Sequence, residues 1–120
     1  MNLLTPEERQ KTVIVQGLKF VIDFISPKRQ ILISNRRAQL QGGISIDALT
    51  QSDFDLYNAI ATVDICSDNL KWPEGFPQSS CEDWDDEDLI FELSKEIYKF
   101  ATDMKSRLKK NRLSTGSNGQ

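Results

Sequence analysis

The sequence predicts an α+β domain, predominantly helical, with a short N-terminal β-hairpin packed on about three helices. Three observations carry this reading. Apolar residues recur at helical spacing from Leu89 through Ile90, Leu93, Ile97, Phe100, Ala101 and Met104 to Leu108. Ser26-Pro27 and Gly42-Gly43 bracket a second helical segment with opposite end signals. Leu18, Phe20, Ile22 and Phe24 alternate with Lys19, Val21 and Asp23, the pattern of a strand with one buried face.

Residues 1–11 read as a polar leader. Thr5-Pro6 suits a short helical turn, with Thr as cap and Pro at the first helical position. Thr12–Val15 and Leu18–Ile25 are rich in β-branched and aromatic residues, and Gln16-Gly17 between them suits a tight turn. A two-stranded hairpin is marginal alone, so it must pack on the helices.

The first helix is expected over 27–41. Ile31, Leu32, Asn35, Ala38 and Gln39 fall on one face at helical spacing, with Leu40 adjoining it, and Lys28, Arg29, Arg36 and Arg37 lie on the outer flanks. Those bases are expected to be solvated or paired with acids between Asp47 and Asp68, a stretch with five acids and no base; the alternative is contact with an acidic partner surface. The second helix is expected over 51–66, capped by Thr50 or Ser52. One side carries Phe54, Tyr57, Ile60, Ala61 and Asp64, with the apolar surface broadened by Leu56 and Val63. Ser67–Glu82 is the longest loop, since two prolines and a glycine around Trp72-Pro73-Glu74-Gly75-Phe76-Pro77 disfavour regular structure. The last helix is expected over 84–110. Its acids at the start and bases at the end complement the helix dipole. Residues 111–120, rich in Ser, Gly and Asn, are expected to be a disordered tail after a single domain at 12–110.

Composition narrows the function classes. A chain of 120 residues supports one domain with a modest core. There is no histidine, which removes the commonest general base and metal ligand. A Ser or Cys nucleophile would therefore lack its usual partner. Gly42-Gly43 is not followed by the Lys-Ser or Lys-Thr of a phosphate loop. No enzyme and no cofactor are expected. Cys66 and Cys81 read as free thiols of a reducing compartment, and Met1–Gln10 lacks the apolar stretch of a secretory signal. No apolar run reaches the roughly 20 residues that span a bilayer.

Two segments invite a partner. Glu82–Asp88 holds six carboxylates in seven positions. It reads first as a solvated, dipole-compensating helix start, and second as a docking place for a basic partner. It does not follow the calcium-loop pattern, since Trp84 interrupts it and the turn glycine is missing. The Trp72–Pro77 loop reads either as a plug for the helical core or as an exposed anchor for another protein. The candidate partner contacts are Trp72, Phe76, Leu93, Ile97, Phe100 and Met104, with the alternative that most of them are core. The bases from Lys105 to Arg112 fit ordinary capping of a helix end. A net charge of −3 does not suit a general nucleic-acid binder.

From Phe20 to Asn111 the layout runs from an extended segment ending at Ser26-Pro27 to a helix bearing Arg36-Arg37 and closing at Gly42-Gly43, then Leu49-Thr50-Gln51-Ser52-Asp53. It continues through Ala59-Ile60-Ala61-Thr62-Val63, Lys71-Trp72-Pro73 and Trp84-Asp85-Asp86-Glu87-Asp88-Leu89. This layout resembles the small tail assembly chaperones of long-tailed bacteriophages. The resemblance implies a protein of the host cytoplasm that coats the tape-measure protein, helps recruit tube subunits and is absent from the mature virion. Some members are made in a longer, frameshifted form. The family offers no catalytic residues, and the N-terminal hairpin departs from a purely helical pattern. The homo-oligomeric state stays open. So do two rivals: a structural tail or baseplate adaptor of the virion, and a small nucleic-acid-binding regulator.

Overall fold

The computed structural model describes residues 3–118, with side chains through Arg112. The expected class is observed: an N-terminal antiparallel hairpin followed by three helices. The strands are β1 (Gln10–Val15) and β2 (Leu18–Asp23); the helices are α1 (Pro27–Gln41), α2 (Gln51–Cys66) and α3 (Glu87–Asn118).

The hairpin turns at Gln16-Gly17, and Val15 pairs with Leu18 to close it. Both turn residues have positive φ, 52° and 76°, the type I′ geometry whose twist matches that of paired strands. Phe20 and Ile22 of β2, with Val13 and Val15 of β1, point into the core, while Ile14 and Lys19 face outward. The chain after α2 adds to the edge of β2: Ile22 bridges Ser67, and Asp68 donates its N–H to the Val21 carbonyl.

The leader has the short helical turn expected after Thr5-Pro6. Thr5 and Glu8 form a reciprocal capping box: the Thr5 N–H donates to Glu8 Oε1, and the Glu8 N–H donates to Thr5 Oγ1. Hydrogen bonding of the Glu8 carboxylate by the Thr5 backbone N–H, and next by the Thr5 side chain, holds its pKa below the usual value. A 3-10 turn, Glu7–Arg9, follows, and β1 begins at Gln10 rather than at Thr12. Leu4 is buried, and Glu8 meets Arg107 of α3 at 2.8 Å. The start of the chain is thereby stitched to the far helix. Residues 1–2 lie outside the described residues.

α1 has the predicted boundaries. The Ser26 hydroxyl accepts from the Arg29 N–H, Pro27 occupies the first turn, and Gly42 ends the helix at φ 60°. Its inward face is not the predicted one. Ile33 is the fully buried residue, and Arg29, Arg36, Arg37 and Leu40 share its side. Ile31 is 62% exposed and Leu32 39%, with Asn35, Ala38 and Gln39 also exposed. The reason lies on α2. Arg29 donates to the Ile65 carbonyl, Arg36 to Asp64 and Arg37 to Asn58, while the Arg37 guanidinium stacks over the Phe54 ring. The arginine stems pack as apolar material and their forks find acceptors.

α2 also has the predicted boundaries, with Thr50 as its cap. It packs against both α1 and α3. Its second half is therefore buried nearly all round: Ala59, Ile60, Ala61, Thr62, Val63 and Cys66. The Thr62 hydroxyl is satisfied by the Asn58 carbonyl and sits 3.1 Å from the Tyr98 hydroxyl.

α3 begins at Glu87, not at 84, because Trp84 is in extended conformation and Asp86 caps the helix through the Leu89 N–H. Its apolar stripe is buried from Leu89 to Met104, and Leu108 packs at the edge of the core. The helix continues to Asn118, past the expected end at 110 and into the expected disordered tail. Each added residue gains a backbone hydrogen bond once a helix is nucleated, and no proline interrupts it. Residues 119–120 lie outside the described residues. No helix among the described residues is long and apolar enough to cross a membrane.

Candidate binding groove

The loop between α2 and α3 is a folded cover whose anchor is Asp64. This carboxylate, near the end of α2, accepts at Oδ1 from the Cys81 N–H (2.8 Å). At Oδ2 it accepts from Ser80 Oγ (2.6 Å) and Arg36 Nε (3.2 Å). The Asn69 side chain, which donates to the Gln78 carbonyl, fastens the loop across its middle. A 3-10 turn at Cys81–Asp83 then delivers Trp84 to the hairpin.

Trp84 is the hub of an aromatic cluster. Its ring centroid lies 4.8 Å from that of Trp72, 5.0 Å from Phe76 and 5.9 Å from Phe20. The Trp72 and Phe76 contacts are edge-to-face, the arrangement favoured by the ring quadrupole. Both indole N–H groups are satisfied: Trp84 by the Pro77 carbonyl at 3.2 Å, Trp72 by Ser67 Oγ at 2.8 Å.

On the solvent side of this cluster lies a groove of about 410 Å³ between the hairpin turn, the loop and the start of α3. Leu18, Phe76, Pro77, Trp84 and Leu89 line it with apolar surface. Asp83, Asp85 and Asp86, all exposed, stand at its rim, and no Lys or Arg lines it. Asp86 is occupied as the cap of α3, and Asp83 takes a long contact of 3.5 Å from Ser79 Oγ. The Asp85 carboxylate makes no hydrogen bond or ion pair among the described residues. An apolar floor beneath a one-signed rim can bury a nonpolar side chain and attract positive charge beside it.

A second cavity, about 250 Å³, lies where Leu3, Leu4, Phe24 and Leu108 meet Asp23 and Arg29. Its polar groups already serve one another. Asp23 accepts from Gln10 at 3.0 Å and faces Arg29 at 3.8 Å, and Arg9 donates to the Leu4 carbonyl. The groove is therefore the better candidate.

Of the six candidate contacts from the sequence, Trp72, Leu93, Ile97, Phe100 and Met104 are buried in the core of the single chain. Phe76 is half-buried and reaches the groove. Five of the six thus have the core placement that was the alternative to contact. The acidic run and the aromatic loop, separate in the sequence reading, meet in one groove. Leu18, Trp84 and Leu89 complete it and were not singled out as contacts. One signal was present: a tryptophan within an acidic run is out of place on a purely solvated helix start.

The thiols stand apart from this surface. Both are buried and free. Burial pushes Cys66 up to about 12, and burial together with the neighbouring Asp64 carboxylate pushes Cys81 well above the usual thiol range. Both are held as unreactive SH groups, and Cys81 donates weakly to the Ile60 carbonyl. Among the described residues no group of three or more His, Cys, Asp or Glu side chains is placed to hold a metal ion. Comparison with protein-family models, with curated proteins and with solved structures gives no match.

Proposed function

We propose that this chain is a non-enzymatic, protein-binding factor in phage tail assembly, a tail assembly chaperone for the tape-measure protein and tube subunits. The observation that carries the protein-binding part is the groove: a floor of Leu18, Phe76, Pro77, Trp84 and Leu89 rimmed by the exposed carboxylates Asp83, Asp85 and Asp86. Apolar clefts with polar rims mark protein contact sites more often than plain surface does. The outward face of α1, with Ile31 and Leu32 exposed, offers further apolar area on another element. The assignment to tail assembly rests on the sequence resemblance, and with it the expectation of a host-cytoplasmic protein absent from the finished virion.

Co-expression with a tape-measure protein tests the reading. The soluble fraction of that client is expected to rise, and a tagged copy is expected to retrieve tail components from infected cells. Retrieval of none sinks the proposal. Finding the chain in purified particles by mass spectrometry replaces it with a structural adaptor.

A further inference from the structure

We propose that the groove between the hairpin turn and the start of α3 takes a protein segment with one bulky apolar side chain flanked by Lys or Arg. This rests on the protein-binding reading and adds the chemistry of the occupant. The floor formed by Leu18, Phe76, Pro77, Trp84 and Leu89 can bury an aliphatic or aromatic side chain, and its volume suits one such group with part of its backbone. A purely apolar segment would leave Asp83 and Asp85 partly desolvated beside it without partners, which costs free energy. An acidic segment would meet like charge. Cationic residues on either side of the anchor relieve both problems, since flexible Lys or Arg side chains reach a rim that lines the groove with no cation of its own. The rim acids are also surplus to local needs. Asp86 alone caps α3, while Glu87 and Asp88 in the first turn already complement the dipole.

The test is a titration followed by intrinsic tryptophan fluorescence, because Trp84 floors the groove. The probe is a short capped peptide with a central Leu flanked on both sides by Lys pairs. Binding is expected, weakening as salt rises. Replacing the central Leu of the peptide by Ser is expected to weaken it about tenfold or more. Replacing the Lys residues by Glu is expected to abolish it. The double variant Asp83→Asn with Asp85→Asn is expected to bind the Lys peptide about threefold or more weakly. Asp103→Asn, an exposed acid elsewhere on α3, is expected to bind it as the parent does. Equal binding of the Lys and Glu peptides, no binding of either, or indifference to the rim variant overturns the proposal. Sedimentation supplies the remaining arm: self-association of the parent chain that the rim variant loses would assign the groove to a second copy and also overturn it. In each case client retrieval can still succeed, so failure here is distinguishable from failure of the chaperone reading.

Discussion

Arg36 of α1 and Asp64 of α2 meet at 3.2 Å, and the same Asp64 holds the loop that carries Trp84. The pair thus joins two helices and, through Ser80 and Cys81, sets where the groove's floor lies. Arg36 also reaches Glu82 at 3.3 Å, so one guanidinium serves both the α2 carboxylate and the loop.

Removing Asp64 strands two donors and takes one partner from a third. Asp64→Ala is expected to cost about 2–4 kcal/mol, because Ser80 and the Cys81 N–H lose their acceptor while Arg36 keeps Glu82 and Ser80 Oγ. Urea unfolding measures it. A loss below about 1 kcal/mol would show that water replaces the carboxylate easily and that the loop is not pinned there.

The register of α1 can be checked by a pair of substitutions. Ile33→Ala is expected to cost about 2–5 kcal/mol, since its side chain is fully buried. Ile31→Ala, two positions away but largely exposed, is expected to lie within about 0.5 kcal/mol of the parent. The reverse order would restore the face expected from spacing alone.

The hairpin turn offers a conformational test. Gly17 has φ 76°, and a Cβ added there meets nothing within 4 Å. Gly17→Ala should therefore cost about 1 kcal/mol from backbone strain alone. Gln16 also sits at positive φ, where Asn is better tolerated, so Gln16→Asn should stabilise by a few tenths of a kcal/mol or more. Thermal unfolding of the two variants should move in opposite directions.

The buried thiols predict a pH dependence. The folded-state value of Cys66, about 12, exceeds the ordinary value of 9.0. The unfolded chain therefore releases its thiol proton first. The stability held in this group is complete below about pH 9 and is lost as pH rises toward and through 12. Cys81 shifts in the same direction. Native protein at neutral pH should react with a thiol reagent only as fast as it opens, and unfolding by base should steepen above pH 9. Rapid labelling of both cysteines in the folded state would contradict the burial.

The local signals were legible because they act within a few residues. Ser26-Pro27, Gly42 and Thr50 set the ends of α1 and the start of α2 through hydrogen bonds and backbone preferences that need no distant partner. Gln16-Gly17 set the turn in the same way, and the period of Leu89 to Met104 set the buried stripe of α3. The inward face of α1 was not legible. Two stripes of that helix satisfy helical spacing, and the choice between them came from acceptors on α2 that reward arginine over isoleucine. Nor was the groove, whose parts come from residue 18 on the hairpin, residues 76 and 77 in the loop, and residue 89 on α3. Sequence alone determined the order of hairpin and helices and the bounds of α1 and α2, because those preferences are short-ranged; the start of β1 and both ends of α3 lay elsewhere than expected. Only the tertiary structure decided which surfaces stayed open, because exposure depends on what the rest of the chain brings to cover them.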